Sequence, residues 1–291
     1  MSWCFFSYVR ITFKRWGGRS SLNEMGLNHK NEGDISLLVE MIKFEINRLL
    51  KRRTSLFLGV VLLVALFTGV VEYLGISIPK RTILDVFSFS TSSIMSLLLA
   101  PVAGFFTGGA LVADNRSGLL PLIFSRGVSA FEYVTSKVIT SALGQMCFIG
   151  ITLVVFFVAL LPFFPMGTIY IGAQRYSEAF AYNEPVTYCL LIALLFMAAA
   201  VAFNGIALLT SVWVKNTFVV MAAPTLLYMG LTYVMRMGPT KVNLLDPYAN
   251  LALTDVSIPV SILHMVCYWA VIALVTHVLA IAAFSLKKDY M

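Results

Sequence analysis

Charge is what this sequence has least of. Only 12% of its 291 residues are charged, while 59% are hydrophobic. A soluble domain of this length must present a charged surface to water, so such a composition excludes one. Cysteine is also sparse and scattered. Cys4, Cys147, Cys189 and Cys267 lack the short paired spacing of a zinc site or a disulfide framework and read as inert buried thiols. His264 and His277 have no carboxylate or second histidine at ligand spacing, which favours core histidines over metal ligands. The chain contains no G-x-x-x-x-G-K-[S/T] phosphate loop, no H-E-x-x-H, and no G-x-S-x-G element with a partnered histidine. Hydrolysis of ATP by this chain alone and intramembrane hydrolase chemistry are therefore both disfavoured.

What is present is a series of long apolar runs. A helix needs roughly 20 apolar residues to cross about 30 Å of hydrocarbon. Six such helices are predicted, near Ser55–Gly75, Ser88–Val112, Val138–Leu161, Thr187–Val214, Thr217–Met235 and Pro259–Leu286. The expected fold is thus all-α and polytopic. None of the six carries a charge near its middle, whereas an ion-coupled carrier usually keeps an acid or base at membrane depth. Glu72 and Asp85 fall at the outer boundary, and no clear internal repeat is visible. An ion-coupled secondary transporter is the alternative reading, and an intramembrane enzyme a weaker one.

The charges between the runs set the orientation. With the N-terminus inside, 16 of the 21 Lys and Arg residues fall on the cytoplasmic side, and Lys51, Arg52 and Arg53 stand beside the first run. Both termini are expected in the cytoplasm and the chain in the inner cell membrane. The net charge of +7 then reads as a topology signal and as affinity for anionic lipid. Nucleic acid is not an expected partner, because the basic residues form no separate soluble module.

Three segments are predicted: an extension over 1–35, an amphipathic helix over 36–54 and a transmembrane domain over 55–291. The extension is not a secretory signal, since Arg10, Lys14 and Arg15 follow its apolar stretch instead of preceding it. In the amphipathic helix Ser36 is a plausible N-cap, and the basic residues collect at the C-terminal end that the helix dipole favours. Two placements remain open for this helix: flat on the inner membrane face, or packed on protein.

The most specific stretch is Ala113–Lys137, between the second and third runs. Asp114 and Arg116 end the second run, and Gly118 opens a short apolar helix through Leu119, Leu120, Leu122, Ile123 and Phe124. A turn at Ser125–Ser129 includes Arg126, and Glu132 and Lys137 lead into the third run. The helix is too short to cross a membrane and too apolar to stand in water, so it is expected to lie on lipid or to dock in a groove on a cytoplasmic partner.

This stretch resembles the loop of type-2 permeases of ATP-binding-cassette exporters. The resemblance rests on Ser117-Gly118-Leu119-Leu120, Leu122-Ile123-Phe124-Ser125-Arg126, Gly127-Val128-Ser129 and Ser136-Lys137, and with the six-run layout it covers about Ser36–Leu286. The departures are Asp114 where Glu is usual, Gly127 where Pro is common and Ala130 where a second Arg often sits. The resemblance implies a permease that pairs with a second permease copy or a related one and with separate ATPase subunits, which would hold ATP and magnesium. It also implies that Gly118–Phe124 is a coupling helix, with a smaller second contact at Lys215–Asn216, and that Gly238–Ile258 forms short re-entrant helices.

Two faces bear on a transport path. In the second run Ser88, Ser92, Ser96, Ala100, Ala103 and Thr107 recur at three- and four-residue steps beside Gly104 and Gly108. In the fifth, Thr217, Met221, Thr225, Tyr228 and Thr232 do the same around Pro224. Plain small-residue helix packing and path lining are both open readings of these faces, and the resemblance favours path lining. Gln145 and Asn204 read as interhelical hydrogen-bonding glue.

Overall fold

The computed structural model describes residues 39–48, 53–76, 81–107, 109–125, 127–166, 185–237, 245–251 and 261–286. Every regular element among them is helical. In chain order these are α1 (39–48), α2 (Arg53–Leu74), α3 (Ile83–Ser90), a π-helical turn (Thr91–Met95), α4 (Ser96–Thr107), α5 (Ala110–Arg116), α6 (Leu119–Phe124), α7 (Ala130–Leu160), α8 (Pro185–Trp213), α9 (Thr217–Met237) and α10 (Ile262–Leu286). The chain divides into two units, 1–40 and 41–291. Of the first, only Val39 and Glu40 are described. The predicted extension over 1–35 lies outside the described residues, as does most of the outer segment 238–258.

Six helical stretches are long and apolar enough to cross a membrane: Ser55–Leu74, Ile83–Arg116, Ala130–Leu160, Val186–Trp213, Thr217–Met235 and Ile262–Leu286. The chain is therefore multi-pass by length and composition. Two helices start earlier than the apolar runs do, and capping explains both. The Thr82 side chain accepts from the Asp85 backbone N–H and its hydroxyl donates to Asp85 Oδ2 at 2.7 Å, so the second helix begins at Ile83. Ser129 and Glu132 form a reciprocal capping box, which starts the third at Ala130. Asp85, Glu132 and Lys137 consequently lie inside helices.

The second helical stretch is broken several times. At the π-helical turn the Thr91 hydroxyl donates to the Phe87 and Ser88 carbonyls, and the Ser96 hydroxyl donates to the Ser92 carbonyl at 2.7 Å. Pro101 removes a further backbone donor within α4. Hydroxyl back-bonding of this kind satisfies carbonyls that a regular ladder would have paired.

α8 is the central helix, packing along α10, α7, α4 and α9. Close approach of α8 and α10 depends on Gly205, where a Cβ would overlap the Thr276 hydroxyl and stand 2.9 Å from the His277 ring. The core holds Phe196 and Phe203 of α8 with Trp269 of α10, and Phe203 and Trp269 have ring centroids 4.9 Å apart. By contrast, α2, α9 and α10 expose large apolar side chains such as Phe57, Val71, Phe218, Leu226, Leu263 and Leu274. That surface suits hydrocarbon, which rewards apolar contact as a core does.

Candidate functional site

Four charged side chains are gathered at the ends of α1, α5 and α7. Glu45 and Arg48 are three residues apart on one face of α1, and Tyr133 and Lys137 are four apart on one face of α7. Asp114 stands in the last turns of α5 between them. Lys137 Nζ lies 2.6 Å from Glu45 Oε1 and 2.6 Å from Asp114 Oδ2, bridging two carboxylates. Arg48 Nη1 lies 2.6 Å from Asp114 Oδ1 and 3.7 Å from Glu45 Oε1. The Tyr133 hydroxyl completes the set by donating to Asp114 Oδ2 at 2.7 Å.

Glu45, Asp114 and Lys137 are buried. Two acids against two bases leave no net charge, and only such balance makes burial of this many ions tolerable. Burial alone would pull the Arg48 guanidinium down, but the Asp114 and Glu45 carboxylates outweigh it and hold the group above its ordinary value. Arg48 thus stays charged under all working conditions.

The short helix hangs from this cluster. Ser117 ends α5, and Gly118 takes φ +69°, the left-handed turn that lets α6 leave at an angle. α6 turns Leu119 and Leu120 into the protein, where Leu120 is 1% exposed. Pro121 and Leu122 face outward, Leu122 being 54% exposed, and Ile123 and Phe124 are half-buried. The Phe124 ring meets Tyr133 edge-on at 6.1 Å. Phe131, in the first turn of α7, is likewise exposed, at 57%. Gly127 has φ +83°, which proline cannot adopt, so this turn differs in backbone from one built on proline.

The residues expected to couple to a partner are thus placed differently from one another. Leu119 and Leu120 are consumed by internal packing, and Asp114, Glu132 and Lys137 by the ion cluster and the capping box. Arg116 and Gly118 are exposed along with Leu122. Arg126 lies outside the described residues. Phe131 carries no motif signal in the sequence, and its exposure emerges only with the Ser129 cap, which puts it in the first turn of α7. The ion cluster was missed because Glu45 and Lys137 are 92 positions apart and each reads singly as a boundary charge.

The two candidate path faces separate. Ser92, Ser96 and Ala103 are buried, and the Ser92 and Ser96 hydroxyls donate to the carbonyls of Phe89 and Ser92. A Cβ at Gly104 would overlap the Met221 carbonyl oxygen, so α4 and α9 meet backbone to backbone there. The side chain of Thr107 lies outside the described residues. On α9, Tyr228 is buried with its ring 5.4 Å from Phe203. Thr225 and Thr232 are half-buried, and neither hydroxyl has a hydrogen-bond partner. Thr225 and Thr232 thus keep hydroxyl capacity that Ser92 and Ser96 have spent on their own backbone.

A second polar group crosses the helices at mid-span. Asn204 Nδ2 donates to the Ser141 hydroxyl at 2.9 Å and lies 3.4 Å from His277 Nε2, while His277 Nδ1 sits 2.7 Å from the Ala273 carbonyl. A proton on Nδ1 donating to that carbonyl leaves Nε2 to accept from Asn204. The glue reading of Asn204 fits this geometry. Gln145 is fully buried and its amide has no partner. Among the described residues no group of His, Cys, Asp and Glu could hold a metal ion.

No known protein-family model matches this chain, and no curated protein matches it.

Proposed function

We propose that this chain is the membrane permease subunit of an ATP-binding-cassette transporter working as an exporter, driven by a separate ATPase that binds ATP and magnesium. The observation that carries the reading is the exposed apolar knob of Pro121 and Leu122 on α6, between two membrane helices of a six-span chain. A knob of this kind has no use for water, and its base is fixed by a buried ion cluster, as a force-bearing contact requires. The sequence likeness of Ser117–Lys137 to permease coupling loops supports the same reading, with which a sequence carrying no phosphate-loop motif is compatible. α6 is then the coupling helix, α1 the interfacial helix, and the knob side with both termini cytoplasmic, in the inner membrane.

Thr225, Tyr228 and Thr232 of α9 are the best placed candidates for the substrate path, which is completed by a second permease copy or a related one. The test is purification of the tagged chain from its native membrane in mild detergent. A copurifying subunit bearing a phosphate loop, in equal amount and with magnesium-dependent ATP hydrolysis, is expected. A well-folded chain recovered without such a subunit contradicts the proposal.

One observation favours a second reading. Asp85 is buried at the outer end of the second helical stretch, with the Thr82 hydroxyl on its carboxylate. An acid in that position is the kind of residue an ion-coupled carrier uses. Replacement of Asp85 by Asn separates the readings: ATP-driven function survives it, whereas ion-coupled transport does not.

A further inference from the structure

The ion cluster does more than seat the short helix, because one of its three walls is α1. A helix that only rests on a membrane surface keeps its charges toward water. α1 exposes Val39 and Ile46 but also turns Glu45 and Arg48 inward, onto Asp114 of α5 and Lys137 of α7. Burying three ions and part of a fourth gains little net stability over apolar packing, and its better-attested return is a fixed register between the elements that carry them. The register fixed here is between α1 and the α5–α6 corner. Residue 114 is only five positions before α6 begins, and Ser117 N–H donates to the Ala113 carbonyl at 3.0 Å, so a push on α6 displaces Asp114. Asp114 in turn holds Arg48 directly and Glu45 through Lys137. α1 leads into the first span after four residues.

We propose that α1 is a second transmission element: the Glu45–Arg48–Asp114–Lys137 cluster carries movement of the short helix to α1 and the foot of the first span. The inference rests on the reading of α6 as the ATPase contact. Glu45 and Arg48 are positioning residues, acting on the spans through α1 and touching neither nucleotide nor substrate.

The test is amide hydrogen exchange on the purified permease–ATPase complex, with and without magnesium and a non-hydrolysable ATP analogue. In the wild type, nucleotide changes exchange in 119–124 and in 41–48 together. An isolated helix of this length is marginal in water, so its protection reports its docking. The double variant Glu45→Gln/Arg48→Gln leaves the Asp114–Lys137 pair and the Tyr133 bond in place. It speeds exchange of 41–48 about tenfold without nucleotide and abolishes that segment's response, while 119–124 still responds. Arg48→Lys keeps the charge and restores the response, which a merely structural role for α1 would not require. Should the double variant not fold, Arg48→Gln alone, at the most exposed member of the cluster, gives the same readout in smaller degree. A wild-type complex in which 119–124 responds and 41–48 does not overturns the inference and leaves the proposed function standing. Unaltered exchange of 41–48 in the variants overturns it as well. Absence of any copurifying ATPase removes both.

Discussion

Lys137 is the residue on which the junction of α1, α5 and α7 depends most. Its single ammonium holds Glu45 and Asp114 together at 2.6 Å each, so Lys137→Met leaves two buried carboxylates with Arg48 alone. Stranding a buried charge costs about 3–5 kcal/mol. We expect a large drop in thermal stability of the detergent-solubilised chain, against a small one for Lys137→Arg, which keeps the charge. Ser129→Ala is a milder probe: loss of the capping box costs about 1 kcal/mol and its effect should be confined to melting temperature. Equal melting temperatures for Lys137→Met and Ser129→Ala would show that the cluster is not under the stress described. The Ser-x-x-Glu pattern of the cap is hidden within the turn and lead-in that the sequence suggests before the third run, and the cluster has no local signal at all. Its members come from three helices, and only the tertiary fold gives them their common position.

At the scale of elements, α6 has an inner and an outer face, and substitutions on the two should differ in kind. Leu120→Asp buries a charge inside this chain and should reduce yield, so it cannot report on docking. The seam between α4 and α9 is governed by Gly104. Gly104→Val places a side chain against the Met221 backbone and should overpack the pair at a cost of about 1–3 kcal/mol, read as lost expression or a dissociated complex. Ser96→Trp belongs with it, since Ser96 is fully buried. Thr225→Trp is the informative path variant: if α9 lines the path, the complex forms and hydrolyses ATP at its basal rate while efflux stops. Intact complexes with unimpaired efflux would remove α9 from the path. The six spans were legible because twenty apolar residues in a row have few other uses. The helix starts at Ile83 and Ala130 were less so, because their first two turns carry Asp85, Glu132 and Lys137, charges that a hydropathy run excludes but that capping and pairing accommodate. The back-bonded hydroxyls of the second span were invisible for a similar reason. Serine at helical spacing signals a small face whether its hydroxyl points to a path or to the carbonyl one turn behind.

For the whole molecule, the account requires one orientation. It puts the ends of α5, α6 and α7 in the cytoplasm, the side to which the sequence bias of sixteen basic residues against five points. A single cysteine introduced at Leu122 of an otherwise cysteine-free chain should react with a membrane-impermeant maleimide only after the membrane is opened, and one near Glu178 should react in intact cells. The reverse pattern would invert the topology and remove α6 from reach of any cytoplasmic partner. The central claim, that the outward knob docks an ATPase, is tested most directly by the amount of phosphate-loop subunit recovered with Leu122→Asp/Phe131→Asp. Both positions are more than half exposed, so the variant should fold and melt as the wild type does. The account predicts a normally folded chain that no longer retains the ATPase, because two charges cannot enter an apolar groove unpaired. Full recovery of an active ATPase with this variant would contradict it.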